Sequence, residues 1–421
     1  MILALTLFIS TYAAMVILPR YRAYIAFAAA ALFVILGILP ARLLLSSVDW
    51  NVLLMIAGTM GIANLFIESR MPALLADLII MRFPSVRWST VMLSLLAGLI
   101  SAFIDNVATV LMLAPVAVSM AVKLGISPVP SVIAISVASN LEGAATLVGD
   151  TTSILLGGYA GMDFLDFFWF LGRPGIFWVV QAGLVSATAV LILMFMKQRM
   201  TARITSVTEV RDYFPSFLLA SVIVLLILAS FVPGKPATTN GIICIGLFAI
   251  GLVREALRRK RISVLRYSLL QLDYFTLLLL ASLFLLIEGI KQAGVIDAMA
   301  DLIVRLGGSS PFLMYSVLLW ASVLFSAFVD NIPFVAAMLP VVSIIAGRMG
   351  IEPYVLYFGL LCGATLGGNL TPIGASANIM AIGILKKHGH EVSNKQYMRI
   401  GVPYTLAAVA TAYALVWLIW R

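Results

Sequence analysis

Charged residues make up 11% of this 421-residue chain and hydrophobic ones 62%, whereas about a quarter of an ordinary soluble protein is charged. That is too little charge to cover a surface in water. Apolar runs of 17 or more residues recur from end to end, long enough to cross about 30 Å of hydrocarbon. The chain is therefore expected to be an all-α polytopic membrane protein. Cysteine is almost missing: Cys244 and Cys362 fall in apolar segments and provide neither a disulfide framework nor a metal-ligand spacing. Histidine is as rare, and His388 and His390 sit together in the polar loop KKHGHEVSNK, where solvation accounts for them better than pH sensing. No P-loop and no His-Glu-x-x-His occurs, so ATP-driven and zinc-peptidase chemistries lack their motifs. The opening MILALTLFISTYAAMVILPRYR has no basic region and no small-residue cleavage site, and reads as a first span rather than a signal peptide.

Spans are expected near 2–19, 23–40, 51–67, 129–160, 175–197, 215–232, 238–254, 273–290, 353–385 and 400–420, while 88–123 and 311–347 are too long for one crossing. Each overlong segment has an Asp-Asn at its middle, in SAFIDNVATV from Ser101 and SAFVDNIPFV from Ser326, with Pro115 or Pro340 further on. A re-entrant hairpin with Asp-Asn at its tip explains this, because irregular backbone at membrane depth is tolerated where protein or a water-filled cavity surrounds it. Each half then crosses five times, giving about ten crossings and two hairpins. An odd number inverts the second half relative to the first. With hairpins uncounted, 20 of the 27 Lys and Arg fall on one face, among them Arg20, Arg22, Lys386, Lys387 and the run REALRRKRISVLR. The positive-inside rule makes that face cytoplasmic and places both termini outside. The net charge of +9 is then topogenic, and nucleic acid is not an expected partner.

The two halves repeat each other. At an offset of 225, Ser101–Gly158 and Ser326–Gly383 match without a gap at 18 of 58 positions. Asp105/Asp330, Asn106/Asn331, Pro115/Pro340, Gly143/Gly368, Thr146/Thr371 and Gly149/Gly374 are among them. Chance matching of Leu/Ala/Val-rich segments would not favour such residues. The expected layout is a first inverted repeat at 1–200 (hairpin 88–123, broken helix 129–160), a cytoplasmic linker at 201–214, and a second repeat at 215–421 (hairpin 311–347, broken helix 353–385). NLEGAATLVGDTTSILLGG (140–158) answers to TLGGNLTPIGASANIMAIG (365–383), with Pro372 inside the second copy. Gly and Pro at these places favour an unwound middle whose free backbone groups can hold ions. Each hairpin tip and break would converge on one cavity, with the buried aspartates facing cations or protons. Intramembrane acids are costly and point to function, although an aspartate at a helix start also caps amides.

SAFIDN, SAFVDNIPFVAAMLP and LGGNLTPIGASANIMAIGILKKHG resemble signatures of the ion transporter superfamily, closest to its branch of arsenite permeases (ArsB), NhaD-type sodium/proton antiporters and the melanosomal P protein. The divalent-anion/sodium symporters are more distant relatives, with Ser-Asn-Thr at the hairpin tips where this chain has Asp105-Asn106-Val107 and Asp330-Asn331-Ile332. The resemblance implies that tips and breaks bind sodium and substrate, and that a transport domain moves against a scaffold as an elevator. It implies one ion site at Asp105 and Asn106 with the Thr146–Gly149 break, and another at Asp330 and Asn331 with the Thr371–Gly374 break, with sodium at the Asp-Asn pairs. Asp150, Ser376 and Asn378 are further candidates, as are Glu142 and Ser153. Relatives often have Pro-Pro-Asn where this chain has Thr151-Thr152-Ser153, and Gly where it has Glu142.

No Lys or Arg falls near the middle of an expected span, whereas Asp105, Asp330 and Asp150 do. An uncompensated acidic cavity suits sodium, protons or a neutral hydroxide better than a carboxylate anion. Cation/proton exchange is therefore the first expectation, arsenite-type efflux the second and anion symport the third, with sodium or proton as coupling ion and no cofactor. An enzyme is not expected. An intramembrane aspartyl protease needs two carboxylates sharing a proton, but the presenilin-like Gly-x-Gly-Asp is replaced by Leu-Val-Gly-Asp at 147–150. A passive channel fits poorly with inverted repeats and broken helices. Expected partners are the lipid bilayer and a small ion or anion, with monomer and homodimer both open, in a bacterial or archaeal cell membrane.

Overall fold

A computed structural model describes residues 1–196, 200, 207–260, 263–307 and 310–421. Its α-helices of 10 or more residues are α1 (Ile2–Ile17), α2 (Arg22–Ile35), α3 (Trp50–Glu68), α4 (Met71–Arg82), α5 (Val86–Ser101), α6 (Asn106–Lys123), α7 (Val129–Glu142), α8 (Thr151–Ala160) and α9 (Ile176–Met194). The second half follows with α10 (Phe214–Ser230), α11 (Thr239–Arg259), α12 (Tyr274–Gln292), α13 (Val295–Gly307), α14 (Pro311–Ser326), α15 (Asn331–Met349), α16 (Tyr354–Gly367), α17 (Ser376–Lys387) and α18 (Asn394–Trp420). Among the described residues, seven helices are long and apolar enough to cross a membrane alone. Pro19 opens the turn between α1 and α2, where the chain bends by 114°.

The repeat holds in three dimensions. Helices α5 and α14 start and stop 225 positions apart, and so do α7 and α16. The contacts exchange in the same way: α2 packs on α12 as α11 packs on α3, α6 on α17 as α15 on α8, and α9 on its own counterpart α18. Each overlong segment is a hairpin, α5/α6 or α14/α15, and each Gly-interrupted span is a broken helix, α7/α8 or α16/α17. The spanning elements from α3 to α11 number five, so α12 runs in the opposite sense to α3.

The broken helices form the centre. Every residue of α16 after Tyr354 is buried, and α7 is buried apart from Pro130. Helices buried on all sides in this way form the interior of the bundle. Helices α4 and α13 were not anticipated: they are too short to span, and they connect α3 and α12 to the hairpins. Of the expected linker 201–214, residues 201–206 lie outside the described residues, as do Lys197, Arg199 and Arg203. The rest is tied to the bundle, with the Thr208 amide and hydroxyl donating to Asp77 Oδ2 and the Arg211 amide to Ser69 O.

Candidate functional site

Each hairpin tip is a helix start inside the bundle, where orphan amides need partners. At the first tip, Asp105 Oδ1 accepts from the amides of Val107 at 3.0 Å and Ala108 at 3.2 Å. Asp330 Oδ1 does the same for Ile332 at 3.1 Å. Both aspartates are therefore caps, and capping leaves one oxygen of each for other work. Asp105 Oδ2 has no hydrogen-bond partner among the described residues. Asp330 Oδ2 accepts from Arg22 Nη1 at 2.5 Å and from Ser376 Oγ at 3.1 Å.

The breaks lock onto these tips. Thr146 Oγ1 donates to Ala102 O, and its counterpart Thr371 Oγ1 donates to Ala327 O. A Cβ on Gly149 would stand 2.8 Å from Gly143 O and 3.0 Å from both Ala102 O and Ser101 O. On Gly374 it would stand 2.6, 2.7 and 2.9 Å from Gly368 O, Ser326 O and Ala327 O. Glycine at each break thus lets three carbonyl oxygens, two from the tip and one from the break, converge on one small volume. Unwound-helix carbonyls of this kind can coordinate sodium. Ser153 Oγ donates to Gly143 O at 3.0 Å, and its repeat mate Asn378 Nδ2 to Gly368 O at 3.0 Å and Thr371 O at 3.2 Å. These two side chains hold the breaks open.

At the centre lies a polar chain not anticipated from sequence. Asn106 Nδ2 donates to Asn140 Oδ1 at 2.9 Å, and Asn140 Nδ2 donates to Thr365 O at 2.7 Å. Residues 140 and 365 are repeat mates, so the halves touch here through equivalent positions. In the second half Asn331 Oδ1 accepts from Ser326 Oγ.

A cavity of about 730 Å³ collects Asp105, Asn106, Asp150, Asp330, Asn331 and Ser376 on its wall. Thr146, Gly149, Thr371 and Gly374 in the two breaks, and Ser153 and Asn378 in the first turns of α8 and α17, do not line it. Asp150 caps α8, accepting from the Thr151 amide at 2.8 Å and from Thr152 Oγ1 at 2.9 Å. Its counterpart Ala375 leaves α17 without a side-chain cap. Glu142 points elsewhere: it is 1% exposed, takes Gln181 Nε2 at 2.7 Å, and has no place on the cavity wall. Cys362 is likewise buried outside the cavity, so no thiol is offered to arsenic there.

One expectation is corrected here. The cavity is not an uncompensated acidic one: Arg20, Arg22 and Lys387 line it together with Asp273. Arg22 opens α2 just past the turn, so hydropathy places it in a loop, yet its side chain reaches a hairpin tip 308 positions away. Asn64, within α3, also lines the cavity and donates to Gln271 O at 3.2 Å. No local pattern in the sequence marks Arg22 or Asn64. Asn140 had a faint one, as a lone amide within an apolar helix.

A family model described as citrate transporter (CitMHS) matches residues 7–360 and, in a second placement, 262–421. The chain belongs to this citrate transporter family. A 46 kDa membrane protein of Mycobacterium leprae is 30% identical over 431 residues, covering 99% of this chain and 98% of its own. The human P protein is 27% identical over 410 residues, covering 77% of this chain and 48% of its own. Among solved structures, the YdaH transporter of Alcanivorax borkumensis superposes with a TM-score of 0.58 at 16% identity, over 87% of this chain and 84% of that one; at that identity the likeness shows the fold. As a member of the citrate transporter family, the protein is an integral multi-pass membrane transporter and not an enzyme.

Proposed function

We propose that the chain is a secondary transporter whose first-half carboxylates bind sodium, or lithium in its place, and protons in turn, exchanging one for the other by alternating access. The observation that carries this reading is the pair Asp105 and Asp150. Both line the cavity, and neither has a basic partner among the described residues. A cation between them would meet carboxylate oxygens and, behind them, the carbonyls gathered at Gly149. Arg20, Arg22 and Lys387 all belong to the basic face, so the positive-inside rule makes this conformation open to the cytoplasm, with both termini outside.

A second reading, cation-coupled symport of a carboxylate anion, is favoured by one observation. The same three cations and the uncapped start of α17 share the cavity with the aspartates, and a helix start attracts an anion. The family's description points the same way. An anion would enter once the coupling cation had neutralised the floor.

The test uses proteoliposomes with a trapped pH dye, given sodium, lithium, potassium, arsenite and citrate in turn. Under the exchange reading, sodium or lithium alone evokes a pH change, which Asp105→Asn and Asp150→Asn each abolish. If citrate is required for any sodium-dependent signal, symport replaces exchange. If neither substitution affects transport, the first-half carboxylates are caps only and the proposal fails.

A further inference from the structure

The repeat makes the charges of the two halves directly comparable. The second half keeps the ligand geometry of the first: carbonyls of Ser326, Ala327 and Gly368 gather at Gly374 as those of Ser101, Ala102 and Gly143 gather at Gly149. It does not keep the charge. The first half presents Asp105 and Asp150 without a cation, whereas the second presents Asp330 alone, since Ala375 stands where Asp150 would, and that single carboxylate is paired with Arg22. The start of α11, which corresponds to the start of α2, supplies no equivalent: Lys235 just before it pairs with Asp163 at 2.6 Å, Arg254 and Arg258 at its far end bind Asp212, and none of these lines the cavity.

The Arg22–Asp330 pair is well held. The side chains are only 17% and 15% exposed, the guanidinium lies 5.9 Å from the ring of Phe275, and Ser376 occupies the same carboxylate oxygen. With its Oδ1 on the Ile332 amide, Asp330 has both oxygens engaged. We propose that Arg22 is a tethered counter-ion that takes the place of a mobile cation at the second half's aspartate. One cation, bound by the first half, then accompanies each transport cycle instead of two. This rests on the reading of Asp105 and Asp150 as the mobile-ion site, but it is separable from it. A mobile ion arriving at Asp330 would face a site already neutral, and in partly buried surroundings that difference of a full charge decides occupancy.

The experiment is equilibrium binding of radioactive sodium to the purified chain in choline buffer, with lithium and acid titration run in parallel as Tm shifts. The native chain is expected to bind about one sodium and Arg22→Gln about two, because the substitution frees Asp330. Arg22→Lys keeps a cation in place and stays at one, and Arg22→Gln/Asp330→Asn returns to one. In choline, Arg22→Gln alone has the lowest Tm of the set, since an unpaired buried carboxylate remains, and a mobile cation restores it. A native chain that binds two sodium ions, or an Arg22→Gln that neither gains a site nor is stabilised by sodium, lithium or acid, overturns the proposal. So does a loss of sodium binding in Asp330→Asn, an arm that is informative even if Arg22→Gln fails to fold. If the native chain binds no sodium or lithium but Arg22→Gln binds one, the first-half reading fails while the role of Arg22 stands.

Discussion

Gly374 illustrates how much of this site depends on an absent side chain. A methyl group there would lie 2.6 to 2.9 Å from three carbonyl oxygens, which can move only if the hairpin tip and the break separate. Overpacking of this kind costs about 1–3 kcal/mol. Gly374→Ala is expected to lower Tm while leaving the first half's cation in place, whereas Gly383→Ala, where the new Cβ meets nothing within 4 Å, should not lower Tm. Equal Tm values for the two variants would mean that the carbonyls at Gly374 are not held together by packing. Glu142 is the opposite case, a side chain whose charge draws attention in the sequence but which has no place on the cavity wall. It lies against Gly98 and Gln181, away from the cavity. A buried acid in a membrane span is a fair pointer to function, but only geometry tells which face of the helix it occupies.

At the scale of elements, the joint between hairpin and broken helix is a latch made twice. Thr146 and Thr371 donate to the carbonyls of Ala102 and Ala327, and each of these carbonyls keeps a second lone pair for an ion. Thr371→Val preserves shape but leaves a buried carbonyl without its donor, at a cost of about 1–3 kcal/mol. Thr371→Ser should retain most of the stability, and comparing the Tm of the two isolates the hydroxyl. If Val and Ser behave alike, the latch contributes only shape. The hairpins, the breaks and both latch threonines were legible in the sequence, because Asp-Asn, Thr and Gly recur at a fixed spacing within apolar runs and little else explains them there. Helices α4 and α13 were not legible, since elements of 12 and 13 residues neither span a membrane nor interrupt a long run. Arg22 escaped for a different reason. Its partner is set by how α2 packs on α12, a tertiary relation for which hydropathy carries no signal.

For the whole molecule, the deciding property is the side on which the cavity opens. Two nearly equivalent halves could present their tips to either face, and only one arrangement is described: Arg20, Arg22 and Lys387 stand on the cavity wall, on the face where most Lys and Arg lie. Alternating access requires a second arrangement that closes this mouth and opens the other, and ligands shift the balance between two such states only by their differential affinity. Gly383 lines the cavity and has open space at its Cβ, so Gly383→Cys reports the mouth with little disturbance, while Cys244 and Cys362 are buried and should stay silent. In inside-out vesicles a membrane-impermeant maleimide is expected to label Gly383→Cys rapidly, and in right-side-out vesicles slowly or not at all. Addition of the coupling cation should change the inside-out rate severalfold by moving the population between states. Rapid labelling only from the outside would reverse the orientation assigned from the basic loops. A rate that no transported ion alters would mean that the cavity does not close, leaving a conduit where an alternating transporter is proposed.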